Sequence, residues 1–193
     1  MEIATPTENT GQDIQEDRTP WYGLQLFGVR QKELSEVLEQ NNIDSFYPVQ
    51  MVDFIDREGK LRHELRPVVS NLLFVKKPID TQNSLQEILK TYQNKYYVIR
   101  KTKGARDFYE IPAYQMQEFM TMCNPELTMK KFLSEGEAKL KKGDRVQVSH
   151  GPLKGMTGRL VRQSGKYFLL KEIPGMAVML KVTRWCCQKA EDS

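Results

Sequence analysis

Residues 142–161, KGDRVQVSHGPLKGMTGRLV, hold four glycines and a proline within twenty positions. That density permits only short strands joined by tight turns. Val146 and Val148 share one face of a strand over 145–149, because side chains alternate with period two along an extended chain. A second short strand is expected over 159–161. Gly143-Asp144 turns the chain in and His150-Gly151-Pro152 turns it out, the proline fixing φ and removing a backbone donor. Gly155 and Gly158 recur at spacings of four and three, where a tight corner needs backbone against backbone or a positive φ.

The rest of the chain is long enough, at 193 residues with 39% hydrophobic side chains, for one medium domain or two small ones with packed cores. No run approaches a membrane span and the N-terminus lacks the order of a signal peptide, so no membrane association is expected. Cys123, Cys186 and Cys187 form neither a disulfide framework nor a C-x-x-C metal spacing, which fits a cytoplasmic address. Charge is uneven within the net +4: residues 1–19 carry −4, residues 20–135 carry +1, and residues 136–193 carry 12 basic against 5 acidic side chains, a net +7. A basic C-terminal module suits nucleic acid or an acidic partner surface.

Taken in order, residues 1–19 read as a disordered acidic tail. A strand follows over 21–27, with Tyr22, Leu24 and Leu26 on one face and Trp21, Gly23 and Gln25 on the other. Leu34, Val37 and Leu38 mark a helix over 30–41. Residues 46–55 and 61–66 read as two strands joined by the polar loop 56–60, a protruding hairpin. Residues 68–75, VVSNLLFV, read as a central strand buried on both faces. A helix is expected over 81–92, capped by Asp80 or Thr81, then a strand over 96–100. Pro112 opens a third helix, whose Met116, Phe119, Met120 and Cys123 face inward. Residues 125–141 read as a charged linker with a short helical turn near 129–133. Strands near 145–149, 158–163, 166–171 and 176–182 then suggest a small SH3-like β-barrel over 142–183, ahead of a tail over 184–193. The order β-α-β-β-α-β in residues 20–124 suggests a ferredoxin-like α+β domain.

Catalysis has little to build on. His63 and His150 are the only histidines, both in turn or hairpin settings, and no phosphate-binding, dinucleotide-binding, zinc-protease or nucleophile-elbow motif occurs. The chain is therefore not expected to be an enzyme or to need a cofactor or metal. An RNA-recognition module shares the strand and helix order, but its third strand needs a glycine-aromatic run for base stacking. Here that strand carries aliphatics and Ser70-Asn71, a face better suited to protein.

The spacing V-x-V, two residues, G-P-x-x-G-x-x-G and an apolar pair resembles the KOW motif of NusG-type transcription elongation factors and of some ribosomal proteins. A strand opening Trp21-Tyr22, an amphipathic helix, Phe46-Tyr47-Pro48 and a hairpin resemble the N-terminal domain of the NusG type, which KOW-bearing ribosomal proteins lack. Residues 68–75 fall where that family has P-G-Y-x-F-V; Ser70-Asn71 replace its Pro-Gly. In this the chain resembles the specialised UpxY-type paralogues of Bacteroidetes, which antiterminate surface-polysaccharide operons. The resemblance covers about residues 20–183.

The resemblance implies docking on the clamp helices of RNA polymerase through an apolar patch drawn from Tyr22, Phe46, Tyr47, Val69 and Leu72, of which Phe46 and Leu72 suit core and interface equally. It implies contact between Arg30, Gln31 and Lys32 and the exposed non-template DNA strand. It also implies that the KOW module takes a second partner, such as a ribosomal protein or termination factor, through Leu153, Met156 and Ile173. The alternative from another class is a ribosome- or RNA-binding accessory protein acting through the basic module.

Overall fold

A computed structural model describes residues 17–78, 85–102 and 104–190. The protein is α+β, with antiparallel sheets and short helices. No helix of the described residues is long and apolar enough to cross a membrane. In chain order the first half contains β1 (Trp21–Leu26), α1 (Gln31–Gln40), β2 (Ser45–Phe46), β3 (Val49–Ile55), β4 (Leu61–Pro67), β5 (Leu72–Lys76), α2 (Leu85–Ile88), β6 (Tyr96–Val98) and α3 (Ala113–Cys123). The second half contains β7 (Lys130–Ser134), α4 (Glu135–Lys139), β8 (Asp144–Val148), β9 (Thr157–Gln163), β10 (Lys166–Ile173), β11 (Met176–Val182) and β12 (Cys187–Lys189).

The first sheet has the order β2-β5-β1-β6, with Leu24 opposite both Leu73 and Val98. Both faces are covered. Leu24, Leu26, Leu73, Val75 and Val98 meet Leu34 and Leu38 of α1 and Leu85 and Leu89 of the α2 region. On the other face Trp21, Leu72 and Phe74 meet Met116, Phe119, Met122 and Cys123 of α3. The stripe expected on the third helix is thus the one observed, with Met120 only half-buried and Met122 taking a full core place.

Three expected strands are shorter, the one over 96–100 ending at Val98. Pro48, which cannot donate to a ladder, separates β2 from β3, so the run over 46–55 serves two sheets. The run over 68–75 begins only at Leu72, because residues 68–71 form the turn leading out of the hairpin. Among the described residues β3 and β4 pair only with each other, Met51 facing Leu65 and Ile55 facing Leu61, and form the expected protruding hairpin. The cap at Asp80 or Thr81 and most of residues 1–19 lie outside the described residues. Asp17, at the end of the expected tail, is bound to the sheet through Lys76 at 2.5 Å.

The second sheet has six strands in the order β12-β8-β9-β10-β11-β7. The four expected strands are present, but among the described residues β7 and β12 are the sheet's edges and it does not close into the expected barrel. Both edges come from segments read as linker and tail. β7 pairs with β11, Phe132 facing Val178, and β12 pairs with β8, Cys187 facing Val148. Between β7 and β8, α4 starts at a capping box in which Ser134 and Glu137 exchange hydrogen bonds. Arg159 of β9 donates to the Ala138 carbonyl at 2.9 Å and the Lys141 carbonyl at 2.8 Å, holding the end of α4 to the sheet. Of the motif glycines, Gly155 has φ of +90°, while at Gly158 a Cβ would lie 2.7 Å from the Leu170 carbonyl oxygen. Each of the two requirements anticipated for this corner is met, at a different glycine.

Candidate functional site

The first and second sheets do not stand apart. One apolar cluster contains Trp21, Leu72, Phe74 and the inward residues of α3 together with Val146, Val148, Leu169, Ile173, Met176 and Val178. The β10–β11 turn packs directly on the first sheet. Gly175 has φ of +92°, and a Cβ there would come within 3.0 Å of both Leu72 methyl groups. Only glycine meets both demands at once.

A polar contact crosses the same seam. Glu118 of α3 receives the Thr157 amide at 3.0 Å and the Thr157 hydroxyl at 3.2 Å, and it forms an ion pair with Lys171 of β10. Lys171 also donates to the Thr157 carbonyl at 3.3 Å. The lysine side chain is 8% exposed and the glutamate 16%, so each charge depends on the other for solvation. Phe119, one residue on, sets its ring edge-on to Phe74 at 5.8 Å and to Phe46 at 6.4 Å.

This geometry divides the residues expected to form one patch. Phe46, Val69 and Leu72 lie on the α3 side, Leu72 being 2% exposed. Tyr22 and Tyr47 lie on the opposite, α1 side. Tyr22 donates to Glu110 at 3.1 Å and meets Phe108 edge-on at 5.8 Å; burial, then the Glu110 carboxylate, holds its phenol pKa above the ordinary value. The Lys77 ammonium, 2.6 Å from Glu110, holds that carboxyl below its ordinary value.

The expected second patch, Leu153, Met156 and Ile173, belongs to the same shared cluster, with Ile173 fully buried and the other two half-buried. Residues anticipated for two different partners are therefore packed in one core. Ile173 belongs to the strand that leads into the turn carrying Gly175 onto Leu72.

At the start of α1 the three expected nucleic-acid contacts also separate. Arg30 is exposed, and Lys32 is exposed and 3.9 Å from Glu36. Gln31 is turned inward and 4% exposed, because its Nε2 donates to the carbonyls of Val69 and Leu72 at 2.6 Å each. Buried carbonyls at the end of a turn need donors, and Gln31 supplies them. It positions the 69–72 turn and has no donor left for a strand outside.

The seam residues Glu118, Thr157 and Lys171 were not anticipated from sequence. Lys171 left a signal, since it alternates with Leu169 and Ile173 on an inward face of β10 where an aliphatic residue is the rule. Glu118 left none. Among the described residues, no group of three or more His, Cys, Asp and Glu side chains is placed to hold a metal ion. No protein-family model matches the chain, and no curated protein is significantly similar to it.

Proposed function

We propose that the chain is a NusG-type elongation or antitermination factor, which binds RNA polymerase through its first sheet and suppresses pausing and termination along long operons such as those for surface polysaccharides. The observation that carries the reading is the strand order. β2-β5-β1-β6, antiparallel with α1 and the α2 region on one face, is the order of a ferredoxin-like α+β sandwich, and a glycine-turned β module follows it. Those two modules, in that sequence, are what Trp21-Tyr22, Phe46-Tyr47-Pro48 and residues 142–161 resemble. Neither catalysis nor a cofactor enters this reading.

Phe46, Val69 and Leu72 supply the apolar anchors, and Arg30 and Lys32 are the exposed cations that would meet phosphates of the non-template strand. The geometry adds a requirement. Leu72 lies inside the seam, so polymerase can reach it only when the second module moves aside. Binding then selects the parted form, and apparent affinity falls by the fraction of molecules that are parted. Parting also frees Leu153, Met156 and Ile173 for a second partner, a ribosomal protein or termination factor.

The test is capture of core RNA polymerase on the immobilised full chain. Lys171→Glu sets a second carboxylate against Glu118 and favours the parted form. Capture should rise several-fold in this variant and disappear when Val69→Glu is added, with the circular dichroism spectrum preserved throughout. Folded variants that capture no polymerase in either form would reject the reading.

A further inference from the structure

The second module leaves one large ring in water. Trp185 is 72% exposed, and among the described residues 141–190 it is the one large apolar side chain left exposed. Its position is fixed by the backbone around it. The chain makes a 3-10 turn over Arg184–Cys186, closed by the Cys186 amide on the Thr183 carbonyl at 3.1 Å. Ser149, from the motif turn, then donates its backbone amide at 2.7 Å and its hydroxyl at 3.0 Å to the Cys186 carbonyl. With the hydroxyl proton committed there, Ser149 Oγ accepts from His150 Nδ1 at 2.8 Å, which leaves Nε2 as the remaining polar atom of that ring. The same contacts set the His150 and Trp185 rings 5.9 Å apart at 44°. Two exposed rings are thus held side by side.

The charge around them is one-sided. Between residues 145 and 190 the chain has nine basic side chains and a single acid, Glu172, which is paired with Arg159 at 2.7 Å. Arg184 is the neighbour of Trp185, and Lys154 stands exposed in the turn after His150. Exposed Thr183, Arg184, Gln188 and Lys189 are neighbours of Trp185 in sequence, a polar and cationic setting unlike the apolar core of a protein interface. A nucleobase requires less: one flat ring to stack on and a cation for its phosphate.

We propose that Trp185 and His150 form a stacking platform for single-stranded nucleic acid, with Arg184 and Lys154 meeting its phosphates. The platform is on the second module, remote in sequence from Arg30 and Lys32, and is independent of any contact with polymerase.

Tryptophan emission of the full-length protein reads the platform directly, because Trp21 is buried and Trp185 is not. Mixed-sequence single-stranded RNA and DNA 10-mers are titrated in separate arms. Either should quench the exposed component, and Trp185→Ala should weaken binding roughly 5- to 150-fold, with Trp185→Phe retaining most of it. Lys154→Ala should lower the slope of log affinity against log salt by about one. The arm that binds more tightly names the nucleic acid. The proposal is overturned if neither oligonucleotide quenches, or if the Trp185→Ala variant binds as the parent does. It is equally overturned if Trp185→Ala abolishes capture of a purified ribosomal protein or termination factor while oligonucleotide affinity stays unchanged, since the ring is then a protein anchor.

Discussion

Glu118 and Lys171 meet across the seam between α3 and β10, each shielded from water and each hydrogen-bonded to Thr157. Such a pair contributes little relative to a well-packed apolar replacement, yet removing one member strands the other. Lys171→Met alone should lower stability by about 3 kcal/mol, because the carboxylate remains buried without its counter-ion. Glu118→Gln combined with Lys171→Met should recover most of that loss. Urea unfolding of the two singles and the double gives the coupling directly.

Gly175 makes a separate prediction about the same seam. Alanine there takes on a left-handed backbone, costing about 1–2 kcal/mol, and drives a methyl against Leu72. Gly175→Ala should therefore both destabilise the fold and make the Leu72 face more accessible, seen as faster amide exchange over residues 72–76 than in the parent. A variant with unchanged exchange there would show that the turn does not hold the seam.

Burial pushes the Cys123 thiol up to about 12, against 9.0 for a free thiol. Between those values the unfolded chain has released this proton and the folded chain has kept it, so stability falls as pH rises above about 9. The contribution is fully present below that point, and the slope from this group reaches about 1.4 kcal/mol per pH unit. Cys187 is raised by burial in the same direction. Cys123→Ala should flatten the alkaline loss in a series of urea unfolding curves from pH 8 to 10.5. In the native protein at pH 8, a thiol reagent should spare Cys123.

The β3–β4 hairpin should be the first point of attack by trypsin. Arg57 and Lys60 lie in its exposed tip, and among the described residues the two strands pair only with each other. Ile55 and Leu61, 72% and 61% exposed, add little to stability. Replacing both with threonine should change the unfolding free energy by no more than about 0.5 kcal/mol per site while leaving the cleavage site unchanged.

The elements that periodicity marks strongly were legible. Leu34 and Leu38 one turn apart give α1, and the alternation of Val178 and Leu180 gives β11, because in both cases one face had to be apolar to be buried. β7 was hidden by Lys130 and Lys131, which an edge strand tolerates because one side faces water. β12 was hidden by its three-residue length. The candidate patches were legible as apolar residues in strands and turns, but not as two sets facing each other. Alternation says that Leu72 and Tyr22 point away from their neighbours in sequence; it carries no information on what a second sheet, a hundred residues later, will cover. Gln31 misled for a related reason. A polar residue at a helix start is normally solvated, and only the turn at Val69–Leu72, short of donors, draws it inward.

The edge position of β12 has a consequence for the order in which the protein can be assembled. Val146 and Val148 belong to the shared cluster, yet the strand that completes the sheet beside them does not exist until residue 189 has left the ribosome. β7, made some fifty residues earlier, likewise waits for β11 before it has a partner. The first sheet and its two crossing helices, all contained in residues 21–98, precede this by a long interval. The Leu72 face is therefore covered in two stages on the nascent chain, first by α3 and only later by the β10–β11 turn.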